Sequence, residues 1–167
     1  PAYQIDFEDF ERKIEQEHVK LFILCNPHNP VGRVWTVEEL QKLGEICLRH
    51  HVIVVSDEIH NDFVYPGYEH TVFANVDPRF AEFTLTCTAP SKTFNLAGLQ
   101  ISNIFIPNEN LRKAFKTEID RTGYDEPNAL GVVACEAAYR AGEDWLDQLK
   151  AYLLKNLNFL RDFLQEK

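Results

Sequence analysis

The strongest constraint on the fold is a strand–helix–strand pattern between Val19 and Val55. Val19-Lys20-Leu21-Phe22-Ile23-Leu24-Cys25 is a mostly apolar run of the kind that forms a buried strand. It stops at Asn26-Pro27-His28-Asn29-Pro30, because prolines remove ladder donors and hold the residue before them extended. Thr36 and Glu39 have capping-box spacing. Val37, Leu40, Leu43 and Cys47 follow at helical intervals, which predicts a helix to Arg49. Val52-Ile53-Val54-Val55 is a second β-branched run, ending at Ser56-Asp57. Two strands joined in this way are parallel, with a right-handed crossover. The chain is therefore α/β.

The remaining elements extend that unit. Phe83–Thr88 reads as a third strand, ending at Ala89-Pro90-Ser91-Lys92. Ile101–Ile106 reads as a fourth, stopped by Pro107, and the short approach through Leu96-Ala97-Gly98-Leu99 lets it run antiparallel to the third. Helices are expected over Asp9–Glu17, Asn108–Thr117 and Asn128–Ala141. A long one follows Gly142, with Trp145, Leu149, Tyr152, Leu153, Leu157, Leu160 and Leu164 at three- or four-residue spacing, a stripe read as packing. The expected architecture is a mostly parallel sheet with flanking helices over residues 1–142, followed by the long helix over 143–167.

Composition removes several function classes. Apolar residues make up 45% and charged residues 26%, which excludes disordered, collagen-like and disulfide-scaffold chains. With 17 Lys+Arg against 26 Asp+Glu the net charge is −9. No basic run offsets it, so no nucleic-acid partner is expected. The longest apolar run, near Val52–Val55, falls far short of the ~20 residues of a membrane span. Cys25, Cys47, Cys87 and Cys135 form no C-x-x-C pair and sit in apolar contexts, as buried reduced thiols in the cytoplasm do. The 167 residues contain no Met and begin with Pro1, so the sequence reads as a processed chain or a segment of a longer one.

In open α/β sheets ligands bind outside the carboxyl ends of the strands, and polar residues collect there. The first strand delivers His28, Asn29 and Gly32; the second, Asp57, Glu58 and His60; the third, Ser91 and Lys92. An amide, a carboxylate and a lysine at one sheet mouth suit several chemistries. One is pyridoxal phosphate (PLP) catalysis, in which a lysine amine forms a Schiff base with the cofactor and a carboxylate pairs with the pyridinium nitrogen. A second is carboxylate–lysine acid/base work on a phosphosugar. A third is metal binding by Asp57, Glu58 and His60, a weak pattern with no supporting cluster. Singly, each residue has a plainer reading. Lys92 would be a solvated surface lysine, Asp57 a turn cap, Asn29-Pro30 a turn, and His28 or His60 a hydrogen-bonded loop residue. The absence of G-x-G-x-x-G and Walker-type loops removes the usual support for nucleotide binding.

Three motifs, taken together and in order, are more specific. Asn26-Pro27-His28-Asn29-Pro30-Val31-Gly32-Arg33, Asp57-Glu58-Ile59-His60 and Ser91-Lys92-Thr93-Phe94-Asn95-Leu96-Ala97-Gly98-Leu99 resemble PLP-dependent enzymes of fold type I, in the class I/II aminotransferase superfamily. The N-P-H-N-P-x-G-R-x-W form with D-E-I-H is most similar to the cystathionine β-lyase (C–S β-lyase) branch. The resemblance implies that Lys92 is the Schiff-base lysine and general base, and that Asp57 partners the pyridine nitrogen. It implies further that Asn29 bonds the phenolic oxygen, that His60 stands near that oxygen where many relatives have tyrosine, and that Ser91 contacts the phosphate. It also implies a small sulfur amino-acid substrate and a homodimer, since active sites in this family lie at a dimer interface. An aminotransferase shares these residues and remains the alternative; a non-catalytic α/β module is the other.

The sequence departs from the pattern in two places. Ala89 stands where many relatives have a serine three residues before the lysine, and Gln100 where many have a phosphate-binding arginine. Gln100 can donate a hydrogen bond but carries no charge. Residues that family members supply from an N-terminal part and a small C-terminal domain have no matching positions here. The expectation is the lysine-bearing core of a C–S lyase, inactive when isolated, because positioning supplies much of the rate.

Overall fold

The computed structural model describes residues 3–124 and 126–167. Four strands make one sheet in the order β1-β2-β3-β4. These are β1 (Leu21–Cys25), β2 (Ile53–Asp57), β3 (Thr84–Thr88) and β4 (Asn103–Phe105). β1, β2 and β3 are parallel, and β4 runs antiparallel to β3. The helices are α1 (Phe7–Gln16), α2 (Val37–Arg49), α3 (Phe73–Val76), α4 (Pro90–Thr93), α5 (Glu109–Thr122), α6 (Ala129–Ala141) and α7 (Glu143–Gln165). The mostly parallel sheet and flanking helices are those expected.

Local chemistry sets the boundaries. Thr36 Oγ1 accepts from the Glu39 amide at 3.2 Å and Glu39 Oε2 from the Thr36 amide at 2.9 Å, so both halves of the capping box at α2 are formed. Asn108 and Asn128, expected as first helical residues, are instead the N-caps of α5 and α6, where an asparagine satisfies orphan amides better than it serves a helix interior. α5 runs on to Gly123, whose φ of +68° closes the helix in the left-handed region. β4 is three residues, shorter than the Ile101–Ile106 run. Two one-turn helices, α3 and α4, had no counterpart in the sequence reading.

The core lies on one sheet face. Leu24, Val54, Ser56, Thr84 and Thr86 point into it, and Leu40, Leu43, Ile46 and Cys47 of α2 cover them together with Ile14, Val52, Phe73 and Phe80. Each apolar side chain of this size contributes roughly 1.5–3 kcal/mol when fully buried. Phe73 and Phe80 stack with centroids 5.3 Å apart. Gly44 of α2 lies against Phe80, and a Cβ there would collide with the ring. Burial pushes the Cys47 thiol up to about 12, so it is an inert core residue, as expected. Cys25, Cys87 and Cys135 are only half-buried, though all four thiols are free.

On the other sheet face Ile23 is 66% exposed and Leu21 49%. The α7 stripe touches the rest of the fold at its start, where the Trp145 ring centroid lies 6.0 Å from that of Phe94, though Trp145 is itself exposed. Leu157, Leu160 and Leu164 further along are exposed, so most of that stripe is not core packing. Among the described residues no helix is long and apolar enough to cross a membrane.

Candidate active site

The parallel register aligns the carboxyl ends of three strands. Cys25 pairs with Asp57, and Asp57 with Cys87, so a carboxylate stands between two thiols in one row across β1, β2 and β3. Residues beyond that row form the edge predicted to hold the site.

After β1 the chain makes a tight turn. His28 and Arg33 bridge, with the His28 amide donating to Arg33 O at 2.7 Å and the Gly32 amide to His28 O at 2.9 Å. Gly32 sits at φ +68°, a conformation that suits glycine. Trp35, 6% exposed, braces the turn from below by donating Nε1–H to Cys25 O at 3.0 Å. The Arg33 guanidinium lies 4.7 Å from the Trp35 ring centroid and forks onto both Glu39 oxygens at 2.6 and 2.7 Å. The Cys25 thiol accepts from the Asn29 amide at 3.5 Å. Asn29 is thus presented, exposed, at the tip of a braced turn. The Asn26–Pro27 and Asn29–Pro30 peptides are cis.

After β2 the paired carboxylates part. Asp57 is half-buried and accepts from the Ile59 amide at 3.2 Å through Oδ1. The plainer reading of Asp57 as a turn cap is therefore true of one oxygen, and a carboxylate has room for further donors. Glu58, grouped with Asp57 in the sequence reading, turns to the opposite face and is fully buried. Its Oε1 accepts from Ser56 Oγ at 2.8 Å and the Phe73 amide at 3.0 Å, and Oε2 meets His70 Nε2 at 2.9 Å. This corrects Glu58 as a crevice residue and removes the Asp57–Glu58–His60 metal reading. Among the described residues no group of His, Cys, Asp and Glu is placed to hold a metal ion. His60 is half-buried, its ring 6.5 Å from that of Phe63.

After β3 the chain enters α4, a single turn. Pro90 and Thr93 are buried, Ser91 half-buried and Lys92 exposed. Thr93 Oγ1 donates to Asp62 Oδ2 at 2.7 Å. Asp62, Thr93 and His70 were all missed by the sequence reading. Ala89 is buried in extended backbone before α4, and Gln100 is exposed at φ 51°.

A cleft of about 830 Å³ opens at this edge, lined by His28, Asn29, Gly32, His60, Phe63 and Tyr65 among others. Asn29, in the turn after β1, and His60, in the loop after β2, thus share one cavity. Asp57, at the end of β2, and Ser91 and Lys92, in α4 after β3, do not line it. Burial first, then the charges of Asp57 and Glu58, push the Cys87 thiol up, leaving a neutral neighbour beside Asp57. The edge can therefore supply an accessible amine, a partly shielded carboxylate, and amide, imidazole and hydroxyl hydrogen-bonding groups.

Comparison with known proteins bears on this arrangement. Residues 1–167 match the family described as aminotransferase class I and II. The chain is 54% identical over 163 residues to a Bacillus subtilis cystathionine beta-lyase, covering 98% of this chain and 42% of that one. It superposes on PLP-containing cystalysin from Treponema denticola with a TM-score of 0.94 at 44% identity, over 98% of this chain and 41% of the other. Against a PLP-bound C–S lyase from Staphylococcus hominis the TM-score is 0.91 at 46% identity, over 98% and 40%. The chain spans about two fifths of the length of these relatives.

Proposed function

From membership of the aminotransferase class I and II family, to which this chain belongs, we propose that the full-length protein is a PLP-dependent carbon–sulfur β-lyase. Its substrate is cystathionine or a related cysteine S-conjugate, which with one water gives a thiol, pyruvate and ammonia. The observation that carries this reading is the placing of Asn29, Asp57, His60, Ser91 and Lys92 at one edge of three neighbouring parallel strands. These side chains suit the cofactor: the amine is accessible, the carboxylate is half-buried, and amide, imidazole and hydroxyl groups follow the same strand ends.

PLP, when bound, supplies an aldehyde for amines and a ring that stabilises negative charge at the substrate Cα. Lys92 Nζ would hold the cofactor and, once freed by the substrate amine, take the Cα proton. The Asp57 carboxylate would accept the pyridinium N–H and so favour the cationic ring. Asn29 would bond the phenolic oxygen, with His60 standing near it, and the Ser91 hydroxyl would contact the phosphate. Residues 1–142 form the central part of the cofactor-binding domain, and 143–167 the helix leaving it. The free thiols agree with a cytoplasmic setting. A homodimer completes the proposal, with small sulfur amino acids as its partners.

Full-length protein incubated with PLP and cystathionine is expected to release pyruvate without an added keto acid, and Lys92→Ala to abolish the release. Turnover only in the presence of a keto acceptor would assign an aminotransferase instead.

A further inference from the structure

One side-chain hydrogen bond joins the two segments that carry His60 and Lys92. Thr93 follows Lys92 directly and is fully buried, and its hydroxyl donates to Asp62, two residues beyond His60, at 2.7 Å. That length is typical of a hydroxyl donating to a carboxylate, about twice as strong as a neutral pair. Helix α4 is a single turn of four residues. So short a helix has almost no orientation of its own, because nucleation is unfavourable and too few bonds follow it. Its direction must come from outside anchors, and Pro90 and Thr93, the buried residues at its two ends, are in place to supply them. The segment that receives the Thr93 hydroxyl is itself tied down, since Glu58 holds both His70 and the Phe73 amide. At the near end of that segment the Asn61 amide donates to Glu58 O at 3.0 Å, so the stretch carrying Asp62 is held on both sides of it.

We propose that Thr93 and Asp62 are positioning residues, whose hydrogen bond holds the turn bearing Ser91 and Lys92 against the segment bearing His60 and so sets where the Lys92 amine stands. The inference rests on the PLP reading above. Neither side chain takes part in the chemistry; both act through Lys92.

The test uses the full-length protein as wild type, Thr93→Val, Thr93→Ser and Asp62→Asn. Borohydride reduction with PLP, followed by peptide mass analysis, first asks whether wild type carries the cofactor on Lys92. Tryptophan fluorescence then gives the Kd for PLP, and absorbance gives the pH midpoint of the bound cofactor's visible band. Valine keeps the shape of threonine and removes only the donor, so Thr93→Val is expected to raise the Kd about tenfold, as losing a supporting partner does around metal ligands. The midpoint is expected to move by roughly half a pH unit. Thr93→Ser, which restores the hydroxyl, should stay within about twofold of wild type, and Asp62→Asn, which keeps a neutral acceptor, should raise the Kd roughly threefold.

A Thr93→Val protein with wild-type Kd and midpoint overturns the inference, whatever its Tm, because the bond would then only add stability. Thr93→Ser as impaired as Thr93→Val overturns it as well. Should Thr93→Val fail to fold, Asp62→Asn decides alone: a raised Kd supports the inference, and an unchanged one overturns it. Wild type without cofactor on Lys92 sinks the PLP reading itself and this inference with it, a result distinct from any variant effect.

Discussion

At the scale of single residues, Glu58 matters as much as the groups proposed to touch a ligand. Its two oxygens satisfy Ser56, the Phe73 amide and His70 inside the core, so truncation would strand three polar partners at once. With an unsatisfied buried group costing about 1–3 kcal/mol, Glu58→Ala is expected to lower stability by roughly 3 kcal/mol or more. Glu58→Gln, which keeps an acceptor, should cost less than half as much in urea unfolding of the full-length protein. Equal losses would mean that side-chain volume, rather than the acceptor, is what the site needs. Half of this was legible. The period of two along the strand puts Glu58 and Asp57 on opposite faces, but Ile53 and Val55 are as apolar as Val52 and Val54, so it does not say which face is inward. The partner of Glu58, His70, was not legible, because a contact across twelve residues of loop leaves no periodic trace. The same holds for Thr93 and Asp62.

Among the elements, those with long periodic patterns were readable and the shortest were not. The β1–α2–β2 unit and the capping box follow from apolar spacing and turn chemistry, and the short link before β4 allows its reversed direction. One-turn α3 and α4 lie below the length at which a helical period can be recognised, and they exist because tertiary contacts hold them. Packing between elements explains the small residue in α2. Gly44 costs helix propensity, about 1 kcal/mol relative to alanine, yet its missing Cβ is what lets the Phe80 ring lie against the helix. Gly44→Ala is therefore expected to destabilise by about 1–3 kcal/mol through overpacking, seen as a lowered Tm, although alanine is the better helix former. A raised Tm would show that the ring has somewhere else to go.

For the molecule as a whole, the fold class and the placing of the candidate site at the strand ends could be read from sequence. The extent of covered surface could not. Ile23 on the sheet and Phe159, Leu160, Phe163 and Leu164 on α7 are all largely exposed, and apolar area on this scale favours association. The 167-residue chain expressed alone is expected to elute in size-exclusion chromatography above its 19.4 kDa, and Leu160→Lys with Leu164→Lys to shift it toward the monomer. Elution of the unchanged chain as a monomer would show that these faces do not associate. The row Cys25–Asp57–Cys87 has a different kind of consequence. Adjacent strands lie about 4.8 Å apart, which puts the Cα atoms of the two cysteines about 10 Å from each other. A disulfide requires them within about 7 Å. Oxidants can therefore cap these sulfurs one at a time, but they cannot stitch them together over the aspartate while the sheet keeps its register.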